Sequence, residues 1–401
     1  MLDKALPLSN RSGREISIDL SIMFTKMNAR ERFNAVTHFE KPDRVPNEDF
    51  GYWDETIERW YGEGLPRGLD VEEYLGLDNR REKYLLSSIF VGAFPEREER
   101  RPIYIAPMPK YGYKVLEDDG ERIVIVDTWG IKKMVRKSLP TIPKFLDFPV
   151  KTMKDFEAYK VRLDPRDPER FPSNWPELVQ KYKVRDHPLG LNFVGFFGHP
   201  RNLMGLTNLS AAYVRDPELV RTILDHWCDF LIEISKKALQ DVQLDFVQIW
   251  EDMAYNRGSL ISPRIFKEFM TPYYQRLTRF LRENGVDVIL VDCDGDVNDL
   301  IPLFLEGGAN GIYPLEVRCN VDPVALRKKY GKRLILSGGI DKFALMNGPE
   351  AIDAELRKLP ELLPLGGYIP TVDHRVPADV SFDNYKYYVK QKTKLILEAS
   401  E

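Results

Sequence analysis

From about Gly190 onward the chain repeats one unit, a short apolar run that ends in a polar residue and is followed by an amphipathic stretch. The runs read LNFVGFFGHPR, FVQIWED, VILVDCDGD, GIYPLEV, RLILSGGID and YIPTVDH. Short apolar runs bounded by polar and turn residues are what strands buried on both faces look like. Strand and helix in alternation give a parallel sheet with right-handed crossovers, either closed as a barrel or open and doubly wound. No G-x-G-x-x-G follows any run, which weakens the open, dinucleotide-binding form. Charged residues sit just past the run ends: Glu251 and Asp252, Asp292 and Asp294, Glu316, Asp341, and Asp373 with His374. In a (β/α)8 barrel the strand C-termini form the active-site face, where side chains distant in sequence converge. The expected fold is therefore α/β, a (β/α)8 TIM-type barrel forming one domain over residues 1–401.

Within the repeats, residues 185–395, helix ends are punctuated. Ser262 precedes Pro263 and Gly285 follows the last turn of SPRIFKEFMTPYYQRLTRFLRENG, while Asp322-Pro323 opens a second helix. The first half is less regular. Residues 27–60 start the barrel with an N-terminal helical region from Asn28 to Phe39, a first strand near Val45, and a helix in GYWDETIERWYGEGLP. Between residues 100 and 140, YKVLEDDGERIVIVDTWGIKKMVRK alternates and turns at Asp119-Gly120 and Trp129-Gly130. That pattern predicts an inserted antiparallel β hairpin or meander, suited to a lid or an interface. The proline-rich run from Pro140 to Pro176 is expected to wrap the surface.

With 43% hydrophobic residues over 401 positions, the chain can bury a core without disulfides or metal staples. Its 58 Lys+Arg against 62 Asp+Glu leave a net charge of -4, so no overall basic field attracts a nucleic-acid backbone or an acidic membrane. Cys228, Cys293 and Cys319 are odd in number and unpaired in spacing, which points to a reducing compartment. The opening MLDKALPLSNRSGREISIDL lacks the apolar run of a signal peptide, and no stretch approaches the ~20 apolar residues of a membrane span. A cytoplasmic protein with a small-molecule or protein partner is expected, and a homodimer stays open.

The densest chemical signal is VDCDGD, Val291 to Asp296, three carboxylates and a thiol within five residues. Close carboxylates raise one another's pKa unless something positive neutralises them, and a divalent metal or cationic substrate would do so. Alternate strand residues share a face, so Asp292 and Asp294 can point at one ligand. Asp296 can equally cap the next helix, and Cys293 reads as a small buried residue. His374, in TVDHRVP, is a candidate metal ligand or general acid. Glu251 and Glu316 are acids where a barrel keeps its chemistry. Tyr52, Trp53, His199, Tyr255 and Tyr313 could wall a substrate, with Arg201, Arg257 and Arg375 clamping an anionic group.

Several segments together resemble the uroporphyrinogen decarboxylase superfamily, from about Asn28 to Lys392. They are RERFNAVTHFEKPDRVPNEDFGYW, GFFGHPRNLMG, EDMAYNRGSLISPRIFKEFMTPYY, VDCDGD, GIYPLEV, LSGGID and DHRVPADVSFDNY. The resemblance implies a (β/α)8 barrel and two chemistries, porphyrinogen decarboxylation and corrinoid-dependent methyl transfer. The decarboxylase branch holds substrate carboxylates with an R-Q-A-G-R-Y motif; this chain reads NEDFGYW, and Asn47, Glu48 and Asp49 would oppose a polycarboxylate. The methyltransferase branch is the better match. Its zinc site is a His-x-Cys and a later Cys, and Asp292, Asp294 and His374 stand in those places, with Glu316 as a further ligand. That donor set is harder than a thiolate site, suited to zinc and also to manganese or iron.

What the resemblance then implies is O-demethylation of a small methyl ether, such as a methoxylated aromatic, with metal assistance. The methyl group passes to a corrinoid (cobalamin) on a separate partner protein, since the D-x-H-x-x-G signature of corrinoid modules is missing from this sequence. His374, Glu251 and Asp294 would be catalytic, with His374 or Glu251 protonating the departing oxygen. Two alternatives compete: a metal-independent decarboxylase or lyase of a small carboxylic acid, and a non-catalytic tetrapyrrole-binding barrel.

Overall fold

The computed structural model describes residues 27–87, 101–137 and 143–400. The chain enters through the helix Ala29–Thr37, whose start is fixed by a reciprocal cap: Asn28 accepts from the Glu31 N–H while the Glu31 carboxylate accepts from the Asn28 N–H. The helix Asp54–Gly62 follows where GYWDETIERWYGEGLP is predicted. The insertion is a four-stranded antiparallel meander, β1 (Lys114–Asp118), β2 (Arg122–Val126), β3 (Lys132–Arg136) and β4 (Lys144–Asp147). It runs past the expected end at residue 140. Ile123, Ile125 and Val135 on its two central strands form a small core, while edge strands β1 and β4 are exposed along their whole length.

The repeats build a parallel sheet of β5 (Gly190–Val194), β6 (Phe246–Trp250), β9 (Ile289–Asp292), β10 (Gly311–Tyr313), β11 (Ile335–Ser337) and β12 (Tyr368–Ile369). The order is β12-β11-β10-β9-β6-β5, so each strand lies beside its predecessor in the sheet, as right-handed crossovers require. A two-residue hairpin, β7 (Ala254–Tyr255) and β8 (Gly258–Ser259), sits in the loop after β6. Register is what positions the site: Val194 pairs with Trp250, Trp250 with Asp292, and Asp292 with Tyr313, so the strand ends stand level. The predicted helix after Ser262 is two helices, Pro263–Phe269 and Thr271–Glu283, because Pro272 has no N–H to continue the first.

The sheet is extended beyond β5 by a parallel bridge from Leu85 to Gly190, and at the other end Val372 bridges Ile340 and Val376 bridges Tyr52. Among the described residues, backbone pairing does not close an eight-strand circuit. The strand expected near Val45 forms no ladder. Pro46 lacks a donor, the Asp78 carboxylate takes the Asn47 N–H, and the Asp49 carboxylate takes the Val372 N–H, so side-chain oxygens occupy the positions of ladder carbonyls. Among the described residues no helix is long and apolar enough to cross a membrane.

Candidate active site

The strand-end loops carry the charged residues that the sequence places there, but sort them into two groups. Trp250, the last residue of β6, is level with Asp292 and Tyr313. The residue after it, Glu251, turns the other way and is wholly buried. Its carboxylate accepts from the backbone N–H groups of Phe196, Phe197 and Gly198 and from the Tyr274 hydroxyl. Gly195 makes this possible, since a Cβ there would stand 2.2 Å from the Glu251 carboxyl carbon. Burial lifts the Glu251 pKa above the usual carboxylate range despite those four donors. With no exposed atom, Glu251 cannot hand a proton to a substrate; it ties the loop after β5 to the end of β6.

Asp252 is the acid that faces the site. Its backbone adopts φ +45°, the left-handed region, which a non-glycine residue holds only where surrounding contacts impose it. Arg201 supplies one such contact, donating to the Asp252 carbonyl at 2.6 Å while its guanidinium lies 4.7 Å above the Trp250 ring. Burial, with the Asp294 carboxylate as a second cause, pushes Asp252 up to about 6. Across from it, His374 Nε2 stands 3.4 Å from Asp294 Oδ2. Burial works against a charged imidazole there, yet the hydrogen bond and charge of Asp294 raise the His374 pKa above its ordinary value. The His374 ring stacks on Trp53 at 5.8 Å and lies 5.6 Å from Phe50. Arg375 covers the other part of Trp53 at 5.3 Å.

Beside this trio lies an ion-pair network. Lys342 donates to Glu316 Oε1 at 3.0 Å and stands 3.6 Å from Asp373 Oδ1; Glu316 Oε2 accepts the Gly295 N–H. Gly295 needs φ +86°, and a Cβ on it would meet the Tyr255 carbonyl at 2.8 Å. Asp373, buried, is pushed up to about 6 by desolvation, with Lys342 and two backbone N–H groups opposing. Asp296 caps its own turn through Asn298. Within VDCDGD, Asp294 therefore has a cationic partner from the chain itself, His374, while Lys342 serves Glu316 and Asp373.

Of the four residues expected to ligate a metal, Asp294 and His374 meet, while both Glu316 oxygens are engaged by Lys342 and Gly295. Asp292 ends β9, half-buried, level with Trp250 and Tyr313. Among the described residues no group of three or more His, Cys, Asp or Glu stands as a metal cage. This donor set does not fit a zinc, manganese or iron centre, and no metal is assigned to it.

The expected substrate wall is scattered. Trp53 and Tyr313 flank the site, with Tyr313 beneath the Arg81 guanidinium at 4.5 Å and 6.0 Å from Phe50. Tyr52 turns inward, its hydroxyl paired with that of Tyr385. Tyr255 and Arg257 sit exposed on the β7–β8 hairpin. His199 is fully buried, stacked 3.7 Å from Trp227. Asn47, Glu48 and Asp49 are also buried: Glu48 pairs with Arg81 at 2.6 Å and Asp49 with Lys392 at 3.5 Å, so their charges are spent inside the fold and do not confront a ligand. Lys342, Arg81 and Phe50 were not singled out in the sequence. Only the place of Lys342, one residue past SGGID at a strand end, could have found any of them.

The model of the family described as uroporphyrinogen decarboxylase (URO-D) matches residues 124–394. The chain belongs to the uroporphyrinogen decarboxylase family. Curated uroporphyrinogen decarboxylases are distant: the Danio rerio protein is 23% identical over 309 residues, covering 71% of this chain and 78% of that one. The Xanthomonas axonopodis pv. citri protein is 25% identical over 187 residues, and this chain spans only about half of it, 48%. Among solved structures, a methyltransferase from Methanosarcina mazei superposes with a TM-score of 0.59 at 17% identity, over 92% of this chain and 99% of that one. At that identity the likeness establishes the α/β fold.

The Asp252 assignment has a measurable consequence. A folded-state pKa near 6, above the ordinary 3.8, means that the folded chain holds the proton more tightly. The stability this contributes is present at low pH and is lost as pH rises from about 4 through 6. The Tm of an Asp252→Asn chain, relative to wild type, is expected to be higher at pH 8 than at pH 4. An equal difference at both would show that the carboxyl is not held in a low-dielectric site.

Proposed function

We propose that this chain is a transferase that removes the methyl group of a small O-methyl donor, a methoxylated aromatic or other methyl ether, by protonating the departing oxygen. The observation that carries it is the trio Asp252, Asp294 and His374, partly open to solvent and walled by Phe50 and Trp53. Aromatic faces hold the ring of such a donor and exclude water from its oxygen. As the O–CH3 bond breaks, its electron pair stays on oxygen and the proton on His374 Nδ1 moves to it, while the Nε2–H stays directed at Asp294. Asp294, 3.4 Å away, favours the charged imidazole before the step and orients the neutral one after it. Asp252, near 6, is the reserve from which the site is reprotonated. A reduced corrinoid carried by a separate protein supplies, when bound, the nucleophile that accepts the methyl group. The structural neighbour in Methanosarcina mazei is itself named a methyltransferase.

A second reading is favoured by two cations at the rim, Arg201 and Lys342, which suit a carboxylate, and by the decarboxylase name of the curated relatives. It is metal-independent decarboxylation of a small carboxylic acid, with His374 returning the proton. One probe separates them. Full-length chain incubated anaerobically with 5-hydroxy-2-methoxybenzoate and reduced cobalamin is expected to form 2,5-dihydroxybenzoate as the reduced corrinoid is consumed. 4-Methoxyphenol with carbon dioxide would establish the lyase instead, and no product from this or other methyl ethers would overturn both.

A further inference from the structure

Below the acid trio, the inner face of the sheet carries two amides where apolar side chains are the rule. Trp250, Asp292 and Tyr313 form one level row, and Tyr313 faces inward under Arg81, whose guanidinium also reaches Ser337 at 3.2 Å. Side chains alternate along a strand, so two residues earlier the same face carries Asn192, Gln248, Leu290 and Gly311. Asn192 and Gln248 are direct register partners on β5 and β6. Leu290 fills the space over Gly311, its Cδ2 lying 2.3 Å from where a Cβ would be. The amides have no such role. Asn192 is 7% exposed and Gln248 2% exposed, and neither Asn192 Oδ1 nor Gln248 Oε1 has a hydrogen-bond partner among the described residues.

Leaving a buried carbonyl oxygen unpaired costs on the order of 1–3 kcal/mol, and apolar residues of similar size would avoid that cost at both positions. Two adjacent acceptors that lack donors are complementary to a ligand that brings them. At ~3.3 Å of rise per residue, they lie about 7 Å below the row of Trp250 and Asp292, which itself stands two residues before Asp252 and Asp294, so a ligand resting on them extends toward the acids. We propose that Asn192 and Gln248 form a recognition floor for a hydroxyl group on the substrate, at the end opposite the reacting oxygen. This rests on the O-methyl reading and narrows it to methoxylated phenols and related hydroxylated ethers. The donor's O–H gives its hydrogen to the Gln248 or Asn192 carbonyl oxygen; the methoxy end then points to His374.

The test uses 1,4-dihydroxybenzene, 4-methoxyphenol and methoxybenzene as probes, titrated calorimetrically against full-length wild type, Asn192→Leu and Gln248→Met. The dihydroxy compound carries no methyl group, so its binding is read independently of any methyl transfer. Wild type is expected to bind the two phenols at least about tenfold more tightly than methoxybenzene, a preference lost in either variant while methoxybenzene binding stays constant. Because each substitution removes an unpaired acceptor, the variants are expected to keep or raise the wild-type Tm. Equal binding of all three probes, no binding of any, or a preference retained in both variants would overturn the floor. So would a Tm lowered by several degrees in both variants, which would assign the amides to a permanently buried water. If dihydroxybenzene binds as expected but 4-methoxyphenol is never demethylated, the floor stands and the transferase reading falls.

Discussion

A chain carrying His374→Gln is expected to demethylate its substrate ~10²–10⁴-fold more slowly while folding as wild type does, the range that removal of a positioned general acid costs. Gln fills a similar volume and can still hydrogen-bond Asp294, but it has no proton to give. The side chain is part-exposed and packs on Trp53 and Phe50 rather than in the core, so little stability rides on it. The pH profile gives the sharper reading. His374 must be protonated to act, so the wild-type rate is expected to fall as pH rises through its raised pKa. Asp294 is what raises that pKa against burial. Replacing Asp294 with Asn therefore moves the fall to lower pH, because burial and the Lys342 charge then oppose the imidazolium with only the weaker pull of Glu316 against them. A rate that is unchanged in His374→Gln, or a midpoint that does not move in Asp294→Asn, would remove the acid role from this pair.

Much of this was legible in the sequence, and the reason is periodicity. Apolar runs ending in acids predict parallel strands and put Asp294, after β9, and His374, after β12, at the same end of the sheet, where the structure brings them within 3.4 Å. The alternation that groups Asp292 with Asp294 also separates Glu251 from Asp252: Trp250 faces the level row, so Glu251 turns away and Asp252 returns. Applied to both pairs, the same period of two would have favoured Asp252. What the sequence could not show is how charge is settled. Nothing in NEDFGYW says that Glu48 meets Arg81 or that Asp49 meets Lys392, more than 300 positions away. Likewise nothing in VDCDGD says that His374 comes to stand beside Asp294. Ion pairs between distant segments leave no periodic trace, and side-chain substitutes for a strand ladder, such as Asp78 on Asn47, hide a strand position in the same way.

Replacing Glu251 with Leu is expected to bring the chain to the edge of unfolding. The carboxylate satisfies the N–H groups of Phe196, Phe197 and Gly198 and the Tyr274 hydroxyl in a place no water reaches. Each donor left unpaired there costs about 1–3 kcal/mol, so four sum to at least about 4 kcal/mol, against a typical total stability of about 5–15 kcal/mol. The damage also reaches the site. The helix Gly198–Met204 begins at the released loop and carries Arg201, which holds the Asp252 carbonyl in its left-handed turn. Tyr274→Phe removes one of the four donors and is expected to cost only about 1 kcal/mol, leaving activity intact. Glu251→Gln is the discriminating substitution. Its amide puts a donor against a backbone N–H, so the Tm should drop, and activity should fall no further than the folded fraction does. If Glu251→Gln instead melts like wild type and loses activity as His374→Gln does, Glu251 is an acid of the reaction and its burial opens during turnover.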